Sequence, residues 1–394
     1  MHRLFACAAL AACSLLGIAA PAAAQDLVIT NVRIIVGNGT VIDNGTIAVR
    51  GGRIVSAAAG AATVPNAQTI DGKGLTAIAG FIDGHRHVNT GPNEVQQMQA
   101  LLDAGYTTIL SGGGPAEGNL TLRDRIEKGE LKGPRIIPSG RVDIVKSTPE
   151  QARAEMRRQA ALGIKWIGEM AVTPRPGPTA TEIENIKALV DESEKLGINL
   201  QIHAVSPQSM VAVVDAGVKY LVHTPHFGWL QREDAQKIAA KGVKQLSTIG
   251  FGVPLFGVYN QENKPTFRDG KPWPQGILDG EGLGQEGGYK PINARTSWDA
   301  GIVYGYGTDT NYAPKAGLAH ELKTINLVFS PQDIIKLMGP NSASYIGMEK
   351  ELGTLEAGKF ADIVLLGGNP LDGYWHLLDT KVVIKNGVIV SDQR

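Results

Sequence analysis

Two histidines stand two residues apart at the end of an apolar run early in the chain. The segment reads Gly80-Phe81-Ile82-Asp83-Gly84-His85-Arg86-His87. Side chains alternate from one side of a strand to the other, so His85 and His87 would project together. Two imidazoles that converge at a strand end suit a divalent metal ion. A His-x-His pair alone is a weak motif, and further ligands are needed to support the prediction.

Two more histidines close apolar runs later in the chain. His203 and His223 each follow directly on three residues of such a run. The whole chain has eight His. Two of them at successive strand ends, together with His85 and His87, predict a metal site.

The His-x-His segment resembles the opening of the amidohydrolase superfamily, whose barrel starts with Pro/Ala-Gly-Phe/Leu-Ile-Asp-x-His-x-His. Asp309, in the sequence Gly-Thr-Asp, matches the Gly-Thr/Ser-Asp at the eighth strand end of that superfamily. Residues 353–364 are similar to the segment with which such chains return to a β-sandwich. The resemblance covers residues 26–394. It points to the binuclear branch with imidazolonepropionase-, prolidase- and enamidase-like enzymes.

The fourth strand departs from the pattern of many binuclear relatives. They carry a carboxylated Lys at the place that Gly168 occupies here. Lys165 and Glu169 share strand parity, so both could point inward, but four residues at ~3.3 Å each separate them in depth. Because the metals lie at the C-terminal mouth, we expect Glu169 as the bridging carboxylate, as in enamidase-like relatives. Lys165, or no bridging residue, are the alternatives.

The resemblance implies a hydrolase with two divalent metal ions. Zinc is the default for nitrogen and oxygen ligands, and iron, manganese or cobalt would also fit. The expected ligands are His85, His87, Glu169, His203, His223 and Asp309. The implied nucleophile is a hydroxide that bridges the metals, with Asp309 as general base and then general acid. We expect the ion held by His85, His87 and Asp309 to be the more buried one.

The expected reaction is cleavage of a C–N bond in a small, apolar or aryl substrate, in an amide, cyclic amide or peptide-like group. Residues 250–297 form a connection far longer than usual and contain many aromatic residues. We predict a lid, with Phe256, Tyr259 and Trp273 binding the substrate together with His226. A surface excursion packed on the barrel is the alternative. Deamination, lactone or carbamate hydrolysis, and metal binding without turnover stay open.

The elements that must position these residues alternate regularly. Short apolar runs are separated by amphipathic stretches such as 149–162, 181–196 and 207–216, and the runs are 77–83, 106–110, 135–138, 164–170, 199–204, 220–224, 243–247 and 302–308. This alternation predicts an α/β fold, a (β/α)8 TIM-like barrel; an open doubly wound sheet has the same rhythm. Short strands at both ends predict a small β-sandwich built from both termini. The expected domains are a signal peptide (1–24), the barrel (78–348) and the two sandwich parts (25–77 and 349–394).

The first 24 residues have the order of a secretory signal. A charge at Arg3 precedes an apolar run, and Ala22-Ala23-Ala24 provides a cleavage site after Ala24. A lipoprotein box that ends at Cys13 is the alternative. The chain's two cysteines, Cys7 and Cys13, both lie in this segment, so the mature chain would have no disulfide. We expect an exported protein, periplasmic or secreted.

Charge and hydropathy restrict the partners. Lys plus Arg and Asp plus Glu both total 38, so the formal net charge is zero and gives no reason to expect nucleic acid as a partner. After the signal, no run approaches the ~18 apolar residues of a membrane span. The expected partner is a small-molecule substrate, and homo-oligomer formation is left open.

Overall fold

The computed structural model describes residues 26–250, 283–309 and 313–394, with side chains in the helix that begins at Leu283 described from residue 288. The predicted signal peptide and the predicted substrate contacts Phe256, Tyr259 and Trp273 therefore lie outside the described residues. In the part of the chain that is described, no helix is long and apolar enough to cross a membrane.

The strands are β1 (Leu27–Ile35), β2 (Val41–Arg50), β3 (Arg53–Ala59), β4 (Gln68–Asp71), β5 (Thr76–Ala79), β6 (Phe81–Arg86), β7 (Tyr106–Ser111), β8 (Arg135–Ile137), β9 (Trp166–Ala171), β10 (Asn199–His203), β11 (Tyr220–Val222), β12 (Lys244–Leu246), β13 (Val303–Gly305), β14 (Ile363–Leu366), β15 (Thr380–Lys385) and β16 (Val388–Asp392). The α-helices are α1 (Glu94–Asp103), α2 (Ala116–Glu127), α3 (Pro149–Ala161), α4 (Ala180–Leu196), α5 (Pro207–Asp215), α6 (Arg232–Ala240), α7 (Leu283–Asp299), α8 (Pro314–Ile325), α9 (Pro331–Lys336) and α10 (Ser342–Tyr345). A π-helix (Leu337–Asn341) joins α9 to α10, and a 3-10 helix (Tyr374–Leu378) precedes β15.

Strands from both ends of the chain combine, as predicted. They form one eight-stranded sheet in the order β16-β15-β14-β5-β1-β2-β3, with β4 also paired with β1. The two ends meet where β14 runs antiparallel to β5, with Ile363 opposite Ala79. Apolar side chains such as Leu27, Ile47 and Ile384 are fully buried in one cluster on this sheet. Neither end has enough strands to cover such a cluster alone.

The predicted first barrel strand, residues 77–83, is wrong as a single strand. β5 ends at Ala79 and belongs to the terminal sheet, whereas β6 begins at Phe81 and pairs in parallel with β7. The chain changes sheets at Gly80. Both strands are buried, so no polar residue marks the change, and an apolar run cannot show where one strand ends.

The eight strands from β6 to β13 are parallel and form two sheets, β6-β7-β8 and β13-β12-β11-β10-β9. Backbone hydrogen bonds connect the two sheets at both junctions. Gly140, after β8, forms a parallel bridge with Ile167 of β9, and the amide of Gly84 in β6 donates to the carbonyl of Tyr306, after β13, at 2.9 Å. The predicted α/β class and strand alternation are confirmed.

The three predicted helices, 149–162, 181–196 and 207–216, match α3, α4 and α5 to within one residue at each end. Each begins at a capping box, in which a Ser or Thr side chain accepts from the backbone three residues later. These caps are Thr148, Thr179 and Ser206. The helices pack on the outside of the strands, where Ile186 and Leu189 of α4 are fully buried.

Residues 250–297, predicted as one long connection after β12, are not a loop over their whole length. Their last third is part of α7, which extends from Leu283 to Asp299. Pro291 lies inside this helix and glycines lie near its start. Both residue types disfavour a helix interior, so the local sequence hides a helix that tertiary packing maintains.

Candidate metal centre

The C-terminal ends of parallel strands bring together all six predicted ligands. His85 lies in β6 with His87 directly after it, Glu169 lies in β9 and His203 ends β10. His223 follows β11, and Asp309 follows β13 by four residues. Because the strands are parallel, these ends open on the same side. Their ligand atoms fall into two groups that share Glu169.

The first donor group consists of His85, His87, Glu169 and Asp309, with all four ligand atoms within 4.8 Å of one another. Nε2 of His85 lies 3.2 Å from Oδ1 of Asp309 and 3.6 Å from Oε2 of Glu169. Nε2 of His87 lies 3.1 and 3.6 Å from the same two oxygens. Two imidazole nitrogens and two carboxylate oxygens form a suitable set of four ligands for a divalent metal ion.

The second donor group consists of Glu169, His203 and His223. Nε2 of His223 lies 2.6 Å from Oε1 of Glu169, and Nδ1 of His203 contacts the same oxygen. The rings of His203 and His223 are close, with centroids 4.2 Å apart. The two oxygens of Glu169 therefore face different groups, Oε2 the first and Oε1 the second, which is the arrangement of a bridging carboxylate.

Lys165, the predicted alternative to Glu169, does not fit this geometry. Lys165 precedes β9 and its side chain is exposed, at the opposite end of the strand from the donor groups. A Cβ atom on Gly168 would lie 2.5 Å from Cβ of Gln201, so a lysine has no room there. The alternation of side chains along a strand predicted that Lys165 points inward. That alternation does not apply to Lys165, because β9 starts at Trp166.

A glycine at the end of β7 makes room for the first group. A Cβ atom on Gly112 would lie 2.9 Å from Nε2 of His87 and from Cε1 of His85. Any larger residue would displace both rings. The sequence Ser-Gly-Gly-Gly, which starts at the last residue of β7, was not part of the predicted site. Its role follows only from packing.

The charges of the cluster favour a cation. Burial would lower the pKa of His85, but the carboxylates of Asp309 and Glu169 raise it to about 10, and they raise the pKa of His87 to about 9. Burial would raise the pKa of the Glu169 carboxyl, yet hydrogen bonds from His203 and His223 hold it far below its ordinary value. Two ionised carboxylates are thus held among four imidazoles.

The centre passes a direct test of fit for a metal. Both ring nitrogens of His85 are buried, and neither makes a hydrogen bond to any residue in the described part of the chain. Buried imidazoles normally find a partner, and a metal ion is one that this set of nitrogen and oxygen donors could hold. A metal-binding protein was predicted, and the clustered donors support it.

Exposure does not separate the two groups as we expected. The side chains of His85 and His87 are 0% and 44% exposed, and those of His223 and His203 are 5% and 30% exposed. Each group pairs one buried histidine with one that reaches solvent. The exposed rings of His87 and His203 mark the side from which a substrate can approach.

A buried carboxylate that sequence reasoning left without a role supports the first group. Oδ1 of Asp83 accepts from the backbone amides of His85 and Thr308, both at 3.1 Å. Its Oδ2 accepts from the Thr308 hydroxyl at 2.6 Å. The amide of Asp309 donates to the carbonyl of His85 at 2.8 Å. Asp83 thus joins the two strand ends that carry the ligands. Its place in the Gly-Phe-Ile-Asp motif was the available signal.

Thr248, after β12, supports the second group. Its Oγ1 lies 2.7 Å from Nδ1 of His223. The amide side chain of Gln245 donates to the carbonyl of His223 at 2.9 Å. Neither residue was predicted, because no motif in the sequence connects them to a histidine more than 20 residues away.

His226, the predicted substrate contact, lies half-buried in the loop after β11. Its amide donates to the carbonyl of Val205 at 2.9 Å, which joins this loop to the one after β10. Burial, helped by the positive charge of Lys290, lowers the pKa of His226 to about 2, so its ring is neutral. Contact of His226 with a substrate stays a prediction.

Aromatic side chains lie in the loop after β11, which also contains His226, and on α7 beside it. Trp229 is 49% exposed and packs edge-on against Tyr289 of α7, with centroids 4.4 Å apart. The guanidinium of Arg175 lies over the ring of Phe227 at 5.0 Å. Asn293 of α7 fixes the loop, since its Nδ2 donates to the carbonyls of Pro225 and Gly228, at 2.9 and 2.8 Å.

Comparisons with known proteins agree with the geometry. The amidohydrolase family profile matches residues 96–390. An imidazolonepropionase from Caldanaerobacter subterraneus subsp. tengcongensis is 24% identical over 390 residues, which cover 84% of this chain and 86% of the relative. A structure from Bifidobacterium longum, assigned as a prolidase, is 26% identical with a TM-score of 0.78, covering 93% of this chain and 95% of its own. Aspergillus niger ochratoxinase is 17% identical with a TM-score of 0.73, covering 94% of this chain and 96% of its own.

The matched region includes Glu169, His203, His223 and Asp309, while His85 and His87 precede it. The predicted superfamily and the predicted hydrolase are confirmed. The chain belongs to the amidohydrolase family and is a hydrolase that acts on C–N bonds.

Proposed function

We propose that this protein is a binuclear metal-dependent hydrolase that cleaves the carbonyl–nitrogen bond of a small amide, cyclic amide or dipeptide with an apolar or aryl group. The observation that carries the proposal is the orientation of Glu169, whose Oε2 and Oε1 face different donor groups. His85, His87 and Asp309 would hold one ion and His203 and His223 the other. We propose zinc, because the donors are imidazoles and carboxylates.

Asp309 is the residue that we assign to proton transfer. When bound, a pair of divalent ions supplies a water of lowered pKa and a Lewis acid for the carbonyl. Oδ1 of Asp309 faces His85 and His87, and its Oδ2 lies 3.8 Å from Nε2 of His223, so the carboxylate adjoins both groups. The two histidines of the first group hold its pKa below the ordinary value despite burial, so it is ionised. It can accept the proton of the attacking water and deliver it to the leaving nitrogen.

The rim of the site supports an apolar or aryl substrate. Trp229 presents a half-exposed indole, and Phe227 and Tyr289 extend the aromatic surface beside it. Large exposed aromatic residues near a reactive centre are typical of a binding surface. We include His226, Phe256, Tyr259 and Trp273 in this substrate site, as predicted from the sequence. Arg175, which lies over Phe227, offers a positive charge to a substrate carboxylate. Substrates with a carboxylate group, such as dipeptides, therefore belong in the substrate screen.

We also propose that the eight parallel strands form one closed (β/α)8 barrel of residues 78–348, with residues 25–77 and 349–394 as a β-sandwich domain. The backbone hydrogen bonds at both junctions, after β8 and after β13, support closure. The change of sheets at Gly80 supports a boundary close to residue 78.

Export is a further part of the proposal. The order of Arg3, the apolar run and the alanines before Gln25 supports a signal peptide cut after Ala24. Mass spectrometry of the protein from its native host should find an N-terminus at Gln25. An acylated Cys13 would show a lipoprotein instead.

A substrate screen tests the reaction class. The mature protein is stripped of metal, reloaded with zinc, and assayed against Xaa-Pro dipeptides, N-acyl amino acids, anilides, cyclic amides, lactones and amidines. We expect zinc-dependent release of the amine from a C–N substrate, greatest for apolar or aryl groups. Ammonia release from amidines alone would identify a deaminase. Turnover of lactones alone would reject C–N cleavage as the preferred reaction.

A further inference from the structure

The backbone takes positive φ values at three neighbouring strand ends. His223, Thr248 and Asp309 have φ values of 74°, 42° and 50° and follow β11, β12 and β13. The other non-glycine residues with positive φ in the described ranges are Asn31, Asn66 and Asn386. Asparagine, aspartate and histidine tolerate this conformation better than other non-glycine residues. A β-branched residue does not, so Thr248 is the most unusual of the six. His223 and Asp309 are candidate ligands, whereas Thr248 is not.

The strained conformation of Thr248 is maintained by its surroundings. Its amide donates to the carbonyl of Gly307 at 3.0 Å. The next two amides, of Ile249 and Gly250, donate to Oε1 and Oε2 of Glu321, at 2.9 and 2.6 Å. Glu321 belongs to α8 and is buried. Residues that their surroundings hold in a strained backbone conformation cluster at functional sites.

The strain places the Thr248 hydroxyl against His223. Oγ1 of Thr248 lies 2.7 Å from Nδ1 of His223, and both residues are buried. The opposite nitrogen, Nε2, faces Oε1 of Glu169. An imidazole that offers the Nε2 lone pair to a metal carries its proton on Nδ1, and that proton needs an acceptor. The Thr248 hydroxyl oxygen is the acceptor within reach.

We propose that Thr248 is a positioning residue for the second donor group. It fixes the tautomer and the ring orientation of His223, so that Nε2 is available as a metal ligand. The inference rests on the proposed binuclear centre and adds to it the residue that sets the affinity of one ion. Glu321 acts one step further away, because it holds the backbone that gives Thr248 this position.

The test is zinc titration of the metal-free mature protein against a chromophoric chelator. Thr248→Val keeps the branched shape and its backbone strain but removes the acceptor, so one of the two binding steps should weaken by about 10- to 100-fold. Thr248→Ser keeps the hydroxyl and should restore most of this affinity. Thr324→Val is the matched control. Thr324 is buried, as Thr248 is, but its hydroxyl donates to the backbone carbonyl of His320. Removal of that hydroxyl should leave both zinc-binding steps unchanged.

Thr248→Gly separates positioning from folding. Glycine relieves the strain at φ 42°, so the melting temperature of the metal-free protein should not fall, yet one binding step should weaken as in the valine variant. If wild type binds two zinc ions and both valine and glycine variants keep both affinities, Thr248 has no positioning role. If wild type itself binds one ion or none, the binuclear centre fails first, and the two failures are distinguishable.

Discussion

The two donor groups share Glu169 but are held in place differently. In the first group, the buried carboxylate of Asp83 binds the backbone of His85 directly, and the amide of Asp309 donates to the carbonyl of His85. In the second group, the buried carboxylate of Glu321 binds the loop after Thr248, and two side chains hold His223: the Thr248 hydroxyl contacts its ring and the Gln245 amide donates to its carbonyl. The first group is therefore part of the backbone pairing between β6 and the segment after β13. In the second group, His203 is paired through its backbone with the neighbouring strands, whereas His223 follows β11 and is held by side-chain contacts.

This difference indicates which substitutions can change the metal affinity of the centre. Ligands fixed by backbone hydrogen bonds tolerate changes in neighbouring side chains, since the backbone groups are always present. A ligand such as His223, which side chains hold, depends on the identity of those residues, Thr248 and Gln245. We expect substitutions of residues that support the second group, such as Thr248, to change metal affinity with little effect on folding. Substitutions of residues that support the first group, such as Asp83, should affect folding as well.

The largest effect is expected at Asp309 in the first group. Asp309→Asn preserves the shape of the side chain and removes its basicity. With both ions retained, kcat should fall by roughly 10²- to 10⁴-fold, the usual contribution of a general base. Steady-state kinetics with metal analysis on the same sample checks this. Turnover close to wild type with both ions present would assign proton transfer to another group.

The next effect concerns Glu321, behind the second group. Burial raises the pKa of its carboxyl from 4.5 to about 7, against hydrogen bonds from Ser247, Gly250 and Ile249. The folded state thus binds a proton more tightly than the unfolded state, and stability is lost as the pH rises from about 4.5 through 7. Glu321→Gln removes this titration. Wild type should therefore lose stability relative to Glu321→Gln as the pH rises. The unfolding free energy of the variant minus that of wild type should increase by about 1–3 kcal/mol between pH 5 and pH 8.

Denaturant unfolding at several pH values measures that gain. A constant difference between the two proteins would mean that the carboxyl titrates alike in the folded and unfolded states. The buried carboxyl of Glu321 would then impose no pH dependence on stability.

The smallest effect is expected at the aromatic rim beside the second group. Trp229→Ala should raise KM for an aryl substrate roughly fivefold, about 1 kcal/mol, with kcat and metal content unchanged. Trp375→Ala is the matched control, because Trp375 is exposed to a similar degree, 56% against 49%, but lies in the 3-10 helix before β15. Equal KM changes in both variants would remove the support for an apolar substrate surface around Trp229.

The ligands could be predicted from the sequence because each follows an apolar run that marks a strand. His203 and His223 needed no more than this pattern, and the position of Glu169 followed from strand depth. The supports could not be predicted in the same way. Glu321 meets the Ile249 amide across 72 residues of chain, and Thr248 meets His223 across 25. No local pattern records such contacts, since they arise only when helices and strands pack.

The fold shows the same limit. The capping boxes of α3, α4 and α5 are local, so these helices were predicted to within a residue. The change of sheets at Gly80 and the helix α7 depend on distant partners, since Asn293 of α7 binds the loop after β11. Local propensity opposes α7, and its packing against this loop, α6 and β13 outweighs that propensity.

Metal stoichiometry in Glu169 variants tests the central claim most directly. Elemental analysis of the purified mature protein should give about two ions per chain, and Glu169→Ala should lose at least one, because both donor groups use this carboxylate. Lys165→Ala, an exposed residue on the same segment, should retain both. Two ions in Glu169→Ala, or a loss confined to Lys165→Ala, would contradict Glu169 as the residue that joins the two groups.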